Sequence, residues 1–143
     1  IMTNRCVIHL SGERVKKRAE HWQQIIYSAC EQCGRNKIPE LMTLISYSDW
    51  LNQYKSNQND QPTTSSAKLM FTPTAHAKLS ALQPNSKDFI VVLVGPEGGL
   101  TPSEEKLAIA TGFIATRLGQ RTLRTESAGL AALASIQALW GDY

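Results

Sequence analysis

The run Phe89-Ile90-Val91-Val92-Leu93-Val94 constrains the fold more than any other stretch, being six consecutive apolar residues, mostly β-branched. Such a run suits a strand buried on both faces, and strands of that kind belong to parallel sheets covered by helices. The residues after it are equally specific. Gly95-Pro96-Glu97-Gly98-Gly99 is a glycine-rich loop, and Thr101-Pro102-Ser103-Glu104 has the form of a capping box. Thr101 is its N-cap, Pro102 stands at the first helical position and Glu104 at the third. The helix so started runs to about Ala110, and Gly112 breaks it. Phe113 to Leu118 then forms another strand, Gly119 to Thr125 a basic turn, and Ser127 to Trp140 an alanine-rich helix ended by Gly141. Strand, loop and helix in repetition give an α/β chain with a mainly parallel sheet flanked by helices.

Upstream, apolar residues at Val15, Ala19, Trp22, Ile26, Ala29, Cys30 and Cys33 step by three and four, which predicts a long amphipathic helix from Gly12 to Cys33. Ser11 is the expected N-cap and Gly34 the expected residue beyond the C-terminus. Leu41 to Ile45 reads as a short strand, and Ser48 or Asp49 as the cap of a brief helix. Ser56 to Ser66 has no apolar residue and reads as a loop. Ala67 to Phe71 is a further strand, and Ala75 to Leu82 reads as one short helix.

With 143 residues the chain is long enough for one domain with its own core. No apolar run approaches the roughly 20 residues that cross a bilayer. Ile1 precedes the first methionine, so the chain is expected to be a piece of a longer protein. Three cysteines cannot all pair within the chain, which points to a reducing, cytoplasmic setting. Cys30 and Cys33 have metal-pair spacing, but there is no second pair and the three histidines are scattered, so no metal site is expected. The net charge is only +3. Its placement is more informative: Arg14, Lys16, Lys17 and Arg18 cluster near the start, and Arg117, Arg121 and Arg124 near the end. Both clusters suit either a solvated face or nucleic acid.

Ligands of open α/β sheets sit at the carboxyl ends of the strands. Three loops leave such ends here: Thr72 to His76, Gly95 to Leu100, and Gly119 to Glu126. In the second, the glycines let backbone approach a ligand or take positive φ. The pattern is neither a P-loop nor a dinucleotide fingerprint. Glu97 would moreover repel a phosphate and suit a cationic ligand, a description that S-adenosylmethionine meets with its sulfonium and ammonium groups. In the third, Arg124 and Glu126 flank Thr125, the expected N-cap of the last helix.

Val94-Gly95-Pro96-Glu97-Gly98-Gly99-Leu100, then Glu104, then the run from Leu118 to Ala128 (LGQRTLRTESA) together resemble the C-terminal signature of the ribosomal RNA small subunit methyltransferase E family. The stretch from Ala29 to Glu40, with Glu31-Gln32, Arg35 and Pro39, is similar to that family too, in the same order along the chain. Ser127 departs from the family's usual Thr but keeps a hydroxyl. The resemblance implies a SPOUT-type α/β fold with a C-terminal trefoil knot, a bound S-adenosylmethionine and a homodimer. It implies methylation of N3 of a uridine in 16S ribosomal RNA of the small subunit. Full-length members carry an N-terminal RNA-binding barrel of PUA type and a first strand and helix of the methyltransferase domain. Residues 1–143 are therefore expected to be that domain without those parts, and activity is expected of the longer protein rather than of this chain alone.

On this reading Thr72, Val94, Gly95, Pro96, Glu97, Gly98, Gly99, Leu118, Gly119, Leu123, Arg124, Thr125, Glu126 and Ser127 surround the cofactor. Arg124 stabilises or orients the uracil, and Glu126 orients Arg124 or the ligand, both as catalytic residues. Arg14, Lys17, Arg18, Arg35 and Arg121 contact RNA. Two alternatives remain at this point: another SPOUT RNA methyltransferase acting on a ribose 2′-oxygen, and an RNA-binding or assembly fragment without catalysis.

Overall fold

A computed structural model describes residues 1–6, 12–52, 66–83 and 89–141. Helix α1 spans Glu13–Cys33. Gly34 follows in the left-handed region at φ 70°, and the Arg35 amide donates to Cys30 O at 2.9 Å, which closes the helix. Ser11, the expected cap, lies outside the described residues, as does most of the expected loop from 56 to 66. The helix α2 occupies 47–52 as far as the description goes. Strand β1 is Ser66–Phe71, β2 Ala77–Lys78 and β3 Phe89–Val94; helix α3 is Pro102–Ala110, strand β4 Ile114–Arg117 and helix α4 Thr125–Trp140.

All described strand pairs are parallel, in the order β2-β4-β1-β3. Their period-two alternation assigns the two faces of the sheet. Met70, Val91, Leu93 and Ala115 pack with Tyr47, Leu51, Leu100, Ala108 and Phe113 under α2 and α3. Leu69, Phe71, Ile90 and Val92 pack with Leu79, Leu82, Ile136 and Trp140 on the α4 side. Both faces of β1 and of its neighbour β3 are thus covered, as the uninterrupted apolar run of β3 requires. Among the described residues, no helix is long and apolar enough to cross a membrane.

Three expectations are corrected. Leu41 to Ile45 is not a strand: its one ladder-like contact is a single parallel bridge between Met2 and Ser46. There the Met2 amide donates to Ile45 O at 2.8 Å and the Tyr47 amide to Met2 O at 2.8 Å, so only the opening residues of the chain pair with it. The cap of α2 is Ser46, whose Oγ accepts from the Asp49 amide at 3.1 Å, two or three residues before the expected one. Ala75 to Leu82 is not a helix. Ala77 and Lys78 instead extend the sheet edge beside Thr116 and Arg117, leaving a single 3-10 turn at Leu79–Ala81. Edge pairing to β4, 39 residues away, overrides a local preference that spans only two turns.

Candidate functional site: a cleft at the carboxyl ends of the strands

The sequence around β3 creates the first wall of the site. The Gly99 amide donates to Pro96 O at 2.8 Å, so residues 96–99 form a tight turn, and Gly99 sits at φ 67° where other residues are strained. A side chain at Gly95 would bring its Cβ to 3.0 Å from the Leu100 amide nitrogen. The turn therefore needs glycine at 95 to fold back on itself. The capping box that follows is formed as expected: Thr101 Oγ1 accepts from the Glu104 amide at 3.3 Å, and the Glu104 carboxylate accepts from the Thr101 amide at 2.8 Å.

Glu104 does more than cap α3. It is buried, and its second oxygen accepts from the Asn4 amide at 2.9 Å, joining the opening residues to the loop. Burial pushes its carboxyl up, but backbone hydrogen bonds from Thr101 and Asn4, the Thr101 hydroxyl and the nearby Arg5 outweigh that effect and hold it below the ordinary 4.5. Tyr47 donates to Glu104 O at 2.9 Å, and its phenol is pushed up to about 12, chiefly by burial and further by Glu104 and Glu105.

The second wall is the segment from β4 to α4. Thr125 is not the N-cap of α4; that position is Arg124, whose side chain makes no cap bond, and whose carbonyl accepts from the Ser127 and Ala128 amides. The Thr125 hydroxyl instead donates to Gly95 O at 3.2 Å, tying this loop to the glycine turn across 30 residues of sequence. The end of β1 closes the third side, with the Thr72 amide donating to Thr116 O at 3.1 Å.

A cavity of about 650 Å³ lies between these walls. The structure brings to it thirteen of the residues grouped by sequence: Thr72, Val94 to Gly99, Leu118, Gly119, and Leu123 to Glu126. Arg121, expected on RNA, lines it too. Ser127 does not; it is exposed on the first turn of α4 and its amide is turned to Arg124 O. Arg14, Lys17, Arg18 and Arg35 lie on or just after α1 and are exposed, with Arg18 over the Trp22 ring at 5.9 Å and Arg35 Nε donating to Lys37 O at 2.9 Å. Sequence reading missed Phe71, Thr116, Arg117 and Glu105. The first two are register partners at the carboxyl ends of β1 and β4, which is where they meet the cavity.

Three carboxylates (Glu97, Glu105, Glu126) and three guanidinium groups (Arg117, Arg121, Arg124) belong to residues bordering one partly apolar volume. That arrangement can hold a molecule with both a cationic and an apolar part, and can meet a polyanion at its rim. Among the described residues no group of three or more His, Cys, Asp or Glu could hold a metal ion.

Comparison with known proteins points the same way. The RNA methyltransferase domain family matches residues 1–137. The ribosomal RNA small subunit methyltransferase E of Buchnera aphidicola subsp. Schizaphis graminum is 36% identical over 126 residues, covering 88% of this chain and 48% of that protein. The enzyme of the same name from Bacillus subtilis is 30% identical over 132 residues, covering 92% and 51%. The chain thus spans about half the length of the curated relatives it matches. Among solved structures, a Legionella pneumophila protein described as a methyltransferase with bound cofactor SAM superposes with TM-score 0.85 at 33% identity, over 99% of this chain and 55% of that one. A Neisseria gonorrhoeae ribosomal RNA small subunit methyltransferase E bound to S-adenosyl methionine gives 0.80 at 40% identity, over 99% and 54%. The chain belongs to the RNA methyltransferase domain family, and its relatives there are ribosomal RNA small subunit methyltransferases E.

Proposed function

We propose that this chain is the catalytic domain of an S-adenosylmethionine-dependent methyltransferase acting on N3 of a uridine in 16S ribosomal RNA. One observation carries the reading: three loops distant in sequence meet around a single cleft of about 650 Å³, joined by the Thr125–Gly95 bond. The residues fit the cofactor. Glu97, Glu105 and Glu126 suit its sulfonium and ammonium charges, and the glycine turn leaves backbone open to a nucleoside. The α3 N-terminus beside the turn has its Glu104 amide occupied by its own cap, so it is a poor phosphate site. When bound, S-adenosylmethionine supplies a methyl carbon on a good leaving group.

The protein's task is then alignment and handling of a proton. Uracil N3 is weakly acidic, and Arg124 at the cleft stabilises the anion that forms as its proton passes to water. Glu126, two residues on, orients Arg124. The basic first turns of α1, with Arg14, Lys17 and Arg18, together with Arg35 and Arg121, hold RNA phosphates. The knotted SPOUT threading belongs to the same reading, and the Thr125–Gly95 bond that sets this segment against the glycine turn supports it. Leu130 and Leu133, about 60° apart around α4, are 72% and 56% exposed, an apolar patch that supports a homodimer. A substrate in the RNA of the small ribosomal subunit puts the protein's work in the cytoplasm.

Mass mapping of nucleosides from small subunits treated with the complete natural protein and labelled S-adenosylmethionine tests the acceptor. 3-Methyluridine is the expected product. A 2′-O-methyl nucleoside would instead favour the ribose-methylating alternative, and no transfer by a cofactor-binding protein would favour an assembly role.

A further inference from the structure

We propose that Arg5 is a positioning residue of the cofactor site, holding the glycine turn from outside in the shape that S-adenosylmethionine binds. The inference rests on the function proposed above. Arg5 Nη1 donates to Gly98 O at 2.8 Å and lies 3.5 Å from Leu100 O, so one guanidinium nitrogen bridges the far side of the turn. Its stem lies against the turn as well. A Cβ at Gly98 would come within 3.2 Å of Arg5 Cβ and 3.3 Å of Arg5 Cδ, which makes the missing side chain at 98 the seat of this arginine. The backbone that presents Arg5 is itself fixed. The Asn4 amide is bound by buried Glu104 at 2.9 Å, and the Cys6 amide donates to Thr3 O at 3.3 Å, making a turn of residues 3–6.

Why a clamp is needed follows from the composition of the loop. Three glycines in five residues carry more backbone freedom than any other segment here, and a ligand that ordered them on binding would lose affinity to that entropy. Two contacts restrict the loop before any ligand arrives. Thr125 holds Gly95 from inside the cleft, and Arg5 holds Gly98 and Leu100 from outside. Pre-ordering of this kind appears as tighter cofactor binding, without change in the rate of the chemical step.

The test measures the dissociation constant for S-adenosylmethionine by calorimetry, and turnover at saturating cofactor, for Arg5→Ala, Arg5→Lys, Gly98→Ala and the Arg5→Ala/Gly98→Ala pair. Arg5→Ala should weaken binding about tenfold, the scale of one charged hydrogen bond, with saturated turnover within about twofold of wild type. Arg5→Lys should recover part of the loss. Gly98→Ala, which displaces the arginine stem, should weaken binding by itself but add little to Arg5→Ala. A residue that only stabilised the fold would lower the melting midpoint and leave the cofactor constant of the folded protein unchanged, and that result overturns the proposal. Should Arg5→Ala fail to fold, Arg5→Gln, which keeps the stem, decides by the same measurement. Failure of the wild-type protein to bind S-adenosylmethionine would instead overturn the underlying function, which separates the two.

Discussion

Glu104 shows how much one side chain can carry here. Its carboxylate caps α3, anchors Asn4 and lies near the Arg5 charge, all in a buried position. Because its folded pKa lies below the ordinary 4.5, it contributes stability that is full above that value and is lost as pH falls through the folded one. Glu104→Gln should therefore cost about 1–3 kcal/mol at neutral pH and flatten the acid limb of a stability profile measured by urea unfolding. Tyr47 predicts the opposite limb. Its phenol titrates at about 12 in the fold against 10.0 ordinarily, so its stabilisation is complete below pH 10 and declines as pH rises toward 12. Tyr47→Phe should remove that decline, and an unchanged alkaline limb would assign it elsewhere. Thr125→Val tests the loop tie: S-adenosylmethionine binding should weaken about three- to tenfold, near the net worth of a neutral hydrogen bond. Most cleft residues were legible from sequence because loops after strands are where α/β sheets bind. The role of Thr125 was not, since a threonine before a helix fits an N-cap as well as it fits a partner 30 residues away.

At the scale of elements, those with a long or doubly determined pattern matched the fold. β3 is six residues without a polar interruption, and α3 has both cap and proline to start it. Leu41 to Ile45 and Ala75 to Leu82 failed because each is short, and the deciding partner lies elsewhere: Met2 for the first, β4 for the second. Helix α4 leaves a further consequence. Its buried residues are Ala132 and Ile136, while Leu130, Leu133 and Leu139 face outward. An apolar helix with leucines on the outside needs a second surface. Leu133→Lys should shift the protein from dimer to monomer in sedimentation velocity; a wild-type protein already monomeric at micromolar concentration would remove this role from α4.

For the whole molecule, the four described strands, parallel and covered on both faces, deliver three strand ends and their loops to one place. Sequence order alone indicated that convergence, because parallel topology puts every strand's carboxyl end on the same edge. The contribution of the opening residues was invisible, since Arg5 and Gly98 are 93 positions apart and neither belongs to a periodic pattern. Arg124→Ala should lower methyl transfer measured at saturating cofactor about 10²- to 10³-fold, as loss of a charge-stabilising donor does. Every role assigned above depends on the cleft taking S-adenosylmethionine, and calorimetric titration of the full chain measures that directly. Saturable binding with a stoichiometry of one per chain, abolished by Gly95→Val, is the predicted result. A folded protein that shows no heat of binding would contradict it.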